Sequence, residues 1–501
     1  MKARKTLLAA MIAVMAGSTG CAIQPKPMTA AEVQDRIRSD HDQMFAQQEP
    51  ITGPVTLPEA LARALKYNLD HRVKQMEIAL ANRILQSASA DMLPRLALDA
   101  GYSNRSNYSG GTSMGIESRQ VTLIPSTSQE RSYADANLNL VWNVLDFGVS
   151  KVTAEQKATD VLITLERRRR VMQNIWLDTN EAYWNAVAAQ RLLPDLNRLI
   201  TKTRRALGDS RKMESTAAQN PEVALNYQKR LMKALEELSK LRKEMTLAKA
   251  RLGALMNLGP GADYRVAVPK GMDVPGQLGR SLEELEQLAL ANQPELREED
   301  YKTRIRVLDV KKAVLRMYPG LELSLGGHAN DNSFLYNNSW FDVALRLSWN
   351  LIHAIHKGPA EKREAQAHVE LADSRRMALS MAVLTQVWVG HARYQLARDD
   401  HALAGEMLRV ENRLGELTQR GQQAETRSQM DVVLASAETL AARMRQEVSL
   451  AQLHASQARL FHTVGVDPLD YSLFAVKDYA FSQVPVKDLT QQIEQQLARP
   501  L

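Results

Sequence analysis

Two histidines, His353 and His356, are the residues of this 501-residue chain whose types and spacing come nearest to a metal site. A separation of three positions suits one side of a helix, where both imidazoles could coordinate zinc. The surrounding sequence offers no third ligand, so the alternative is a pair of polar residues where a strand passes into a helix. The chain contains no phosphate-binding loop, nucleophile motif or cysteine cluster. We therefore predict no catalytic residue, no metal, no cofactor and no enzymatic activity.

The single cysteine, Cys21, follows an N-terminal segment that is typical of exported proteins. Basic residues precede the apolar run Leu7–Met15, and small residues lead up to the cysteine. This arrangement resembles a bacterial lipoprotein processing site, in which the cysteine is acylated and Ala22 implies sorting to the outer membrane. The alternative is an exported chain with an incidental thiol. We predict a signal peptide over residues 1–20 and a lipid-anchored tether over residues 21–55.

Polar and apolar residues alternate in two matching stretches, Ala136–Gly148 and Phe341–Gly358. A period of two indicates strands with one apolar and one polar face. The same alternation follows Pro94 and Pro319, so the sequence predicts four strands. We predict that aromatic residues end the apolar faces near both ends of the strands, as is typical of transmembrane strands: Tyr102, Trp142, Tyr318, Trp340, Phe341 and Trp349. We predict that the polar face lines a water-filled lumen and includes Asp99, Asn137, Asn139, Asp342 and Arg346.

The chain is a tandem duplication. Leu57 matches Leu282, which lies 225 positions later, and Pro94 matches Pro319 at the same separation. The order helix, proline, strand, polar loop, strand, long helix, turn and helix occurs in both halves. We predict one repeat over residues 56–275, a second over residues 276–468, and a polar tail over residues 469–501 that runs along the outside.

Long helices account for most of the remaining sequence. Thr56 and Glu59 predict a capping box, followed by helix-like sequence as far as Pro94. Further helices are predicted over residues 148–193, with a possible continuation past Pro194, and over residues 362–417 and 429–464. A heptad-like run of leucines predicts another helix before the midpoint. Polar turns are expected at residues 208–221 and 418–428. Such helices form a rod or a tube rather than a globule.

The net charge of +7 raises the question of a nucleic-acid partner. Acidic and basic residues are mixed throughout, and the only tight basic run is Arg167–Arg170. We interpret this run as a solvated helix face and predict no nucleic-acid binding.

Four strands cannot close a membrane barrel alone, because the open edges would leave backbone groups unpaired in lipid. The strands must therefore be completed by other copies, and three copies would supply twelve strands around a polar lumen. The fold class that follows is mainly α with a transmembrane β part. We expect tandem-duplicated long helical hairpins that form a rod or a tube, with each chain contributing four strands to a twelve-strand trimeric barrel.

Several motifs together resemble the TolC-like outer-membrane channels of tripartite efflux pumps and type I secretion systems. They are LPEALARALKYN with its echo SLEELEQLALANQPEL, MLPRLALDAGYS with MYPGLELSLGG, LNLVWNVLDFG with LRLSWNLIHAIHKG, and RLGALMNLG. The resemblance implies a homotrimer with a twelve-strand barrel in the outer membrane and a twelve-helix periplasmic tube. It also implies a tip, closed at rest, that contacts a periplasmic adaptor protein. On this sequence the tip pattern falls on Arg420, Gly421, Ser428 and Asp431, whereas the turn around Asn220 matches it poorly.

The expected function is that of a passive conduit from the periplasm to the exterior of a Gram-negative cell. An adaptor protein and an inner-membrane transporter would be its partners. The alternative is a periplasmic coiled-coil lipoprotein that acts as an adaptor or a structural spacer. Such a protein would have no reason to expose an apolar band of strands.

Overall fold

A computed structural model describes residues 25–46, 48–215, 221–268, 274–467, 469 and 484–497. The chain divides into two units, residues 1–50 and residues 51–501. The described part of the first unit contains one helix, α1 (Ala30–Met44), whose N-terminus is closed by a capping box between Thr29 and Glu32. Cys21, the predicted signal peptide and the first part of the predicted tether lie outside the described residues.

Each repeat of the second unit begins with two consecutive helices. These are α2 (Leu57–Tyr67) and α3 (Leu69–Ala90) in the first repeat, and α6 (Leu282–Asn292) and α7 (Pro294–Leu315) in the second. All four begin and end at positions that differ by 225 residues between the repeats. The helical sequence before Pro94 is therefore not continuous, because Asn68 ends α2 and its side chain caps α3.

The capping boxes of the two repeats differ. Thr56 accepts a hydrogen bond from the backbone of Glu59, but the carboxylate of Glu59 binds Arg63 at 2.9 Å instead of returning to the cap. The predicted box is therefore only half formed in the first repeat. In the second repeat, Ser281 and Glu284 form both hydrogen bonds.

The four predicted strands form one antiparallel sheet in the order β1 (Arg95–Asn104), β4 (Ser132–Asn143), β5 (Gly320–Asn330) and β6 (Ser339–Ser348). Two short strands, β2 (Gly110–Gly111) and β3 (Ser126–Thr127), form a ribbon within the long loop between β1 and β4. Among the described residues of both units, no helix combines the length and the apolar character needed to cross a bilayer.

Two helices are much longer than the others. Helix α4 (Val144–Ser215) has 72 residues and α8 (Gly358–Gln423) has 66, which correspond to about 108 and 99 Å. Helix α4 starts directly after β4, because the side chain of Asn143 accepts hydrogen bonds from the first helical N–H groups. It continues through Pro194. The prediction of polar turns was wrong for residues 208–215 and 418–423, which are helical.

The second strand-to-helix junction contains a π-helical turn, His353–Lys357, before α8. Gly358 follows this turn at a point where a Cβ atom would collide with the side chain of Met317. Because Gly358 has no side chain, the start of α8 can lie close to Met317, just after the end of the helix at Leu315.

The long helices pack as antiparallel pairs. Helix α4 lies along α5 (Pro221–Leu255), and α8 lies along α9 (Gln429–Val464), while α4 also contacts α9. Nearer the sheet, α4 contacts α3 and α7. The heptad-like run in α5 is confirmed, because Leu231, Leu238, Met245 and Leu252 are all buried. Helix α9 has the predicted bounds.

The tail does not simply run along the outside. Its helix α10 (Val486–Leu497) buries Val486, Leu489 and Ile493 against Leu61 and Leu65 of α2. Lys66 at the end of α2 donates a 2.7 Å hydrogen bond to the carbonyl of Val484, just before α10. Spacing of three and four residues between the buried positions gives α10 a single apolar face, which requires a partner.

The basic run of α4 is only half a solvated helix face, because Arg167 and Arg170 are exposed but the two arginines between them are not. Arg167 and Arg170 form 2.8 Å ion pairs with Glu298 and Glu295 of α7. Arg168 is buried. Arg169 is also buried; it binds Asp467 at 2.7 Å and donates to the carbonyl of Gly465 at the end of α9. The run therefore ties α4 to the second repeat.

Candidate functional site

The register of the sheet separates an apolar face from a polar face. Directly paired residues lie on the same face of an antiparallel sheet, and Leu98 pairs with Leu138 while Leu323 pairs with Leu345. These side chains are not covered by the rest of the chain: Leu98 is 72% exposed and Phe341 is 92% exposed. The apolar face consists of Leu96, Leu98, Ala100, Tyr102, Ala134, Ala136, Leu138, Leu140, Trp142, Leu321, Leu323, Leu325, Phe341, Val343, Leu345 and Leu347.

All five predicted lumen residues lie on the opposite face. Asp99 pairs with Asn137, Asn139 pairs with Gly326, and Gly326 pairs in turn with Asp342. Arg346 pairs with Glu322, and its guanidinium lies 3.6 Å from the Glu322 carboxylate. The structure therefore brings these residues onto one polar surface, although their role in a lumen stays a prediction.

Three further polar residues belong to this surface. His328 contacts Asn137 at 2.7 Å through Nδ1 and contacts the carboxylate of Asp342 through Nε2. Asn137 also donates to Asp135 at 3.1 Å. Glu322 is the third, through its contact with Arg346. The alternation that identified the five predicted residues also includes these three positions.

Trp340 lies on the polar face rather than with the aromatic residues of the apolar face. It pairs with His328 across the strands, and the two rings stack with centroids 5.1 Å apart. Its place near a strand end suggested a position on the apolar face, but the register assigns it to the polar face. Trp349, beyond β6, donates a 3.0 Å hydrogen bond from Nε1 to the carbonyl of Met317.

The predicted tip residues lie at the other end of α8 and α9. Ser428 is the N-cap of α9, and its Oγ accepts a hydrogen bond from the backbone of Asp431. The Asp431 carboxylate accepts hydrogen bonds from the backbone and hydroxyl of Ser428 at 3.1 and 2.9 Å. Two of the four tip residues thus form a capping box, which fixes the start of α9.

Tyr227 of α5, which was not predicted from the sequence, joins the two repeats at this end. Its hydroxyl donates to the Asp431 carboxylate and lies 3.1 Å from Ser428 Oγ. Burial acts to raise the pKa of Asp431, but the hydrogen bonds from Tyr227 and Ser428 outweigh it and lower that pKa below its ordinary value. Burial and the Asp431 carboxylate raise the pKa of Tyr227. Only folding could reveal this pair, since 204 residues separate its members.

Gly421 accepts the hydrogen bonds that close the turn between α8 and α9. The amides of Thr426 and Arg427 donate to its carbonyl at 2.8 and 3.2 Å. A Cβ atom at Gly421 would stand 2.7 Å from Cγ of Arg427, so the turn requires the missing side chain. Arg420 is exposed, and its carbonyl accepts a hydrogen bond from Ala424. The centre of the first-repeat turn, residues 216–220, lies outside the described residues.

The two candidate metal ligands occupy the π-helical turn. His353 Nε2 lies 3.8 Å from a carboxylate oxygen of Glu361, and His356 is exposed. Within the described ranges, no group of three histidine, cysteine, aspartate or glutamate side chains is placed to hold a metal ion.

Comparison with known proteins finds similarity at the level of structure. No protein-family model matches the chain, and no curated protein matches it. The solved structure of the Campylobacter jejuni outer membrane channel CmeC superimposes with a TM-score of 0.64 at 12% identity, over 95% of this chain and 98% of that one. The outer-membrane channel OprN gives 0.63 at 16% identity, over 82% and 89%. The Neisseria gonorrhoeae outer membrane channel MtrE gives 0.62 at 13%, over 83% and 93%.

The chain has a TolC-like fold. This fold puts the two candidate sites at opposite ends of the long helices: α4 begins at the sheet, and α9 begins beside Tyr227 at the turn. The length of α8 separates them by roughly 100 Å. In this chain, long helices therefore connect a sheet with one exposed apolar face to a distant helical turn.

Proposed function

We propose that this protein is an outer-membrane channel that works as a homotrimer and conducts solutes passively from the periplasm to the exterior. The observation that carries the proposal is the sheet, which has a continuous exposed apolar face, a polar face and two edges without a partner in the described chain. The apolar face matches lipid, and the polar face matches a water-filled lumen. The unpaired edges call for further copies, because strand edges are not tolerated in lipid.

The dimensions agree with this function. Strands of 10 to 12 residues have the length that a tilted strand needs to cross a bilayer. Three copies would supply twelve strands, enough for a lumen with polar walls. The long helices would then continue the conduit by about 100 Å into the periplasm.

The proposed partners are a periplasmic adaptor protein and an inner-membrane transporter of an efflux or type I secretion system. The turn at Arg420, Gly421, Ser428 and Asp431 is the proposed adaptor contact. In this mechanism the energy comes from the transporter, and the channel opens when the helix pairs move apart at the Tyr227–Asp431 contact. The protein performs no chemistry on the solute.

Single-channel conductance of the detergent-purified protein in a planar bilayer, together with its native mass, tests the proposal. A trimer with discrete conductance steps is the expected result. Because the tip is proposed to be closed at rest, the Tyr227→Phe variant is measured in parallel. A monomer, or a trimer that stays silent with the loosened tip, would favour a periplasmic spacer instead.

Acylation of Cys21 is a separate part of the proposal. The mature chain is expected to begin at Cys21 and to carry the mass of its lipid, which intact mass spectrometry measures. The Cys21→Ser variant supplies the control, since it should retain the channel and lose only the anchor.

A further inference from the structure

The two outer strands of the sheet leave one edge each without a partner among the described residues. Strand β1 pairs with β4, and β6 pairs with β5. Every residue of β6 is exposed. In a membrane these edges would leave N–H and C=O groups unsatisfied, so each must meet a strand of another copy. The internal repeat contains the information needed to predict how they meet.

The two hairpins of the sheet follow one register. Arg95 of β1 corresponds to Gly320 of β5, which lies 225 positions later. Val141 of β4 corresponds to Ser348 of β6, because the same Trp-Asn pair follows each of them. The structure pairs Arg95 with Val141 and pairs Gly320 with Ser348. The sequence equivalence is therefore also a structural equivalence, residue by residue.

The junction between the hairpins supplies the template for the junction between copies. There, β4 pairs with β5 through Asn139 and Gly326, Asn137 and His328, and Asp135 and Asn330. We propose that β6 of one copy pairs with β1 of the next copy in this same register. The proposal rests on the proposed trimeric channel. It places the following pairs opposite each other: Leu347 and Ala100, Arg346 and Gly101, Leu345 and Tyr102, Ala344 and Ser103, and Asp342 and Arg105.

This register continues the apolar face across the junction. Leu345 and Leu347 would lie beside Tyr102 and Ala100 of the next copy, and all four belong to the apolar face already described. A slip of one residue would turn the apolar side chains of one strand towards the polar side chains of the other. The lipid-facing surface therefore excludes that alternative.

The polar face gains a charge pair in this register. Asp342 contacts His328 on its own sheet, yet its side chain remains 48% exposed. Arg105 extends the β1 alternation by one residue, because its amide donates to the carbonyl of Arg131 on the β4 side at 2.8 Å. Opposite charges on directly paired residues stabilise a sheet. A slip of two residues would put Asp342 opposite Ser103 or Asn107 and would lose this pair.

Gly101 carries no side chain, and the carboxylate of Asp135 on β4 lies over it, with Oδ1 2.9 Å from the position of an added Cβ. Within the chain, the equivalent Gly326 is covered by Asp342 and His328, which lie 2.5 Å from the position of an added Cβ, and by Asn139 on β4, whose Oδ1 lies at 3.1 Å. Arg346 would cover Gly101 of the next copy in the same way, with Asp99 of that copy as its diagonal neighbour. The polar surface is then completed by residues of two copies.

Disulfide cross-linking tests the register. Paired residues in an antiparallel ladder have Cα atoms about 4.5–5.5 Å apart, within the range that a disulfide spans. We expect Ser103→Cys with Ala344→Cys to cross-link between copies under mild oxidation. The shifted pair, Ser103→Cys with Arg346→Cys, is diagonal at about 7–8 Å and is expected to cross-link at least about tenfold less. Each single variant alone should give no cross-link at these positions, and co-expression of the two single variants should give one.

The outcomes separate the register from the channel itself. A conducting trimer in which the shifted pair cross-links in preference to Ser103–Ala344 overturns the register and leaves the channel standing. Absence of both trimer and conductance removes the proposed function and the register with it. As an independent measurement, Asp342→Arg should reduce the resistance of the trimer to dissociation in detergent, and adding Arg105→Asp should restore it. Failure of the second change to rescue the first overturns the Asp342–Arg105 pair.

Discussion

Helix α2 in the first repeat and helix α6 in the second occupy equivalent positions but bury different surfaces. Ala60 and Ala64 of α2 are buried, as are their equivalents Leu285 and Ala289 of α6. Ala60 packs against α4 and α5 of the first repeat, and Leu285 and Ala289 pack against α8 and α9 of the second. The next face differs: Leu65 is fully buried, whereas its equivalent Leu290 is 40% exposed.

The difference comes from the end of the chain. Helix α10 covers Leu61 and Leu65, and no described element covers the corresponding positions of α6, where Glu286 stands in place of Leu61. A duplicated sequence therefore remains similar where both copies face the same neighbours. It diverges where a single added segment can cover only one of them.

Alanine substitutions at two equivalent positions of α2 and α6 test the difference between these helices, and one of them is expected to have the largest effect. Leu65→Ala should lower the free energy of unfolding by about 2–5 kcal/mol, because it opens a cavity beneath α10. Leu290→Ala, the matched control, should cost no more than about 0.5 kcal/mol at its exposed position. Urea unfolding followed by tryptophan fluorescence measures both. If both variants lost the same free energy of unfolding, α10 would not cover Leu65 in solution.

A second effect concerns the contact that joins the repeats at the turn. Tyr227→Phe removes one hydrogen bond to a carboxylate and should weaken the contact by about 1 kcal/mol. The expected result is more frequent opening in planar bilayers with an unchanged native mass. Tyr301→Phe, a change of the same kind away from the turn, should leave opening unchanged. No difference between the two variants would remove the contact from the opening mechanism.

The same contact predicts a pH dependence. The pKa of Asp431 is lowered in the folded protein, so its contribution to stability is fully present above its ordinary pKa of about 4. That contribution is lost as the pH falls through the lowered pKa. Channel opening should therefore increase at acidic pH in the wild-type protein. The Asp431→Asn variant should open more often already at neutral pH. An unchanged response of Asp431→Asn to acid would place the sensitive group elsewhere.

Gly421 is expected to have a smaller effect. Gly421→Ala should shift the turn, because the added Cβ meets Arg427, and export of solutes should fall while the trimer still assembles. Gly405→Ala in the same helix is the control, since its Cβ would be 3.5 Å from Gln446, an ordinary contact. Export assays measure solute transport, and native mass measures trimer assembly. Normal export by Gly421→Ala would contradict the assignment of this turn to the adaptor contact.

The smallest expected effect concerns the ion selectivity set by the polar face, which differs in charge between the two repeats. Arg346 in the second repeat corresponds to Asn139 in the first. Arg346→Asn should shift the reversal potential of the open channel towards cation selectivity, with little change in unfolding free energy, because it removes positive charge from the lumen. Ser348→Asn on the same strand serves as the neutral control. An unchanged reversal potential would mean that Arg346 does not face the conduction path.

Much of the fold was predictable because its signals are local. Alternation over Leu96–Tyr102 identified a strand and its two faces, and the repeat of the first half's element order located α9 to the residue. The error over residues 208–215 has a local cause as well, since that segment is polar yet compatible with a helix. Polarity indicates exposure, and exposed residues extend a helix as readily as they form a turn.

The candidate sites were predictable only in part. Ser428 and Asp431 were found because a capping box has a fixed spacing. Tyr227 was missed because its partners lie 201 and 204 residues away. Trp340 was assigned outward because strand ends attract aromatic residues, whereas the ladder with β5 turns it towards His328.

Residue order was enough to reveal the duplication, because the two halves match when the chain is aligned with itself. It was also enough for the strand faces and the helix periodicity, which depend on residues only a few positions apart. What Arg167–Arg170 bind, which repeat α10 covers and which residues meet at the turn became known only from the folded chain. Those outcomes depend on segments that are distant in the chain. Their charges and apolar faces gain a role only when folding brings their partners within a few ångströms.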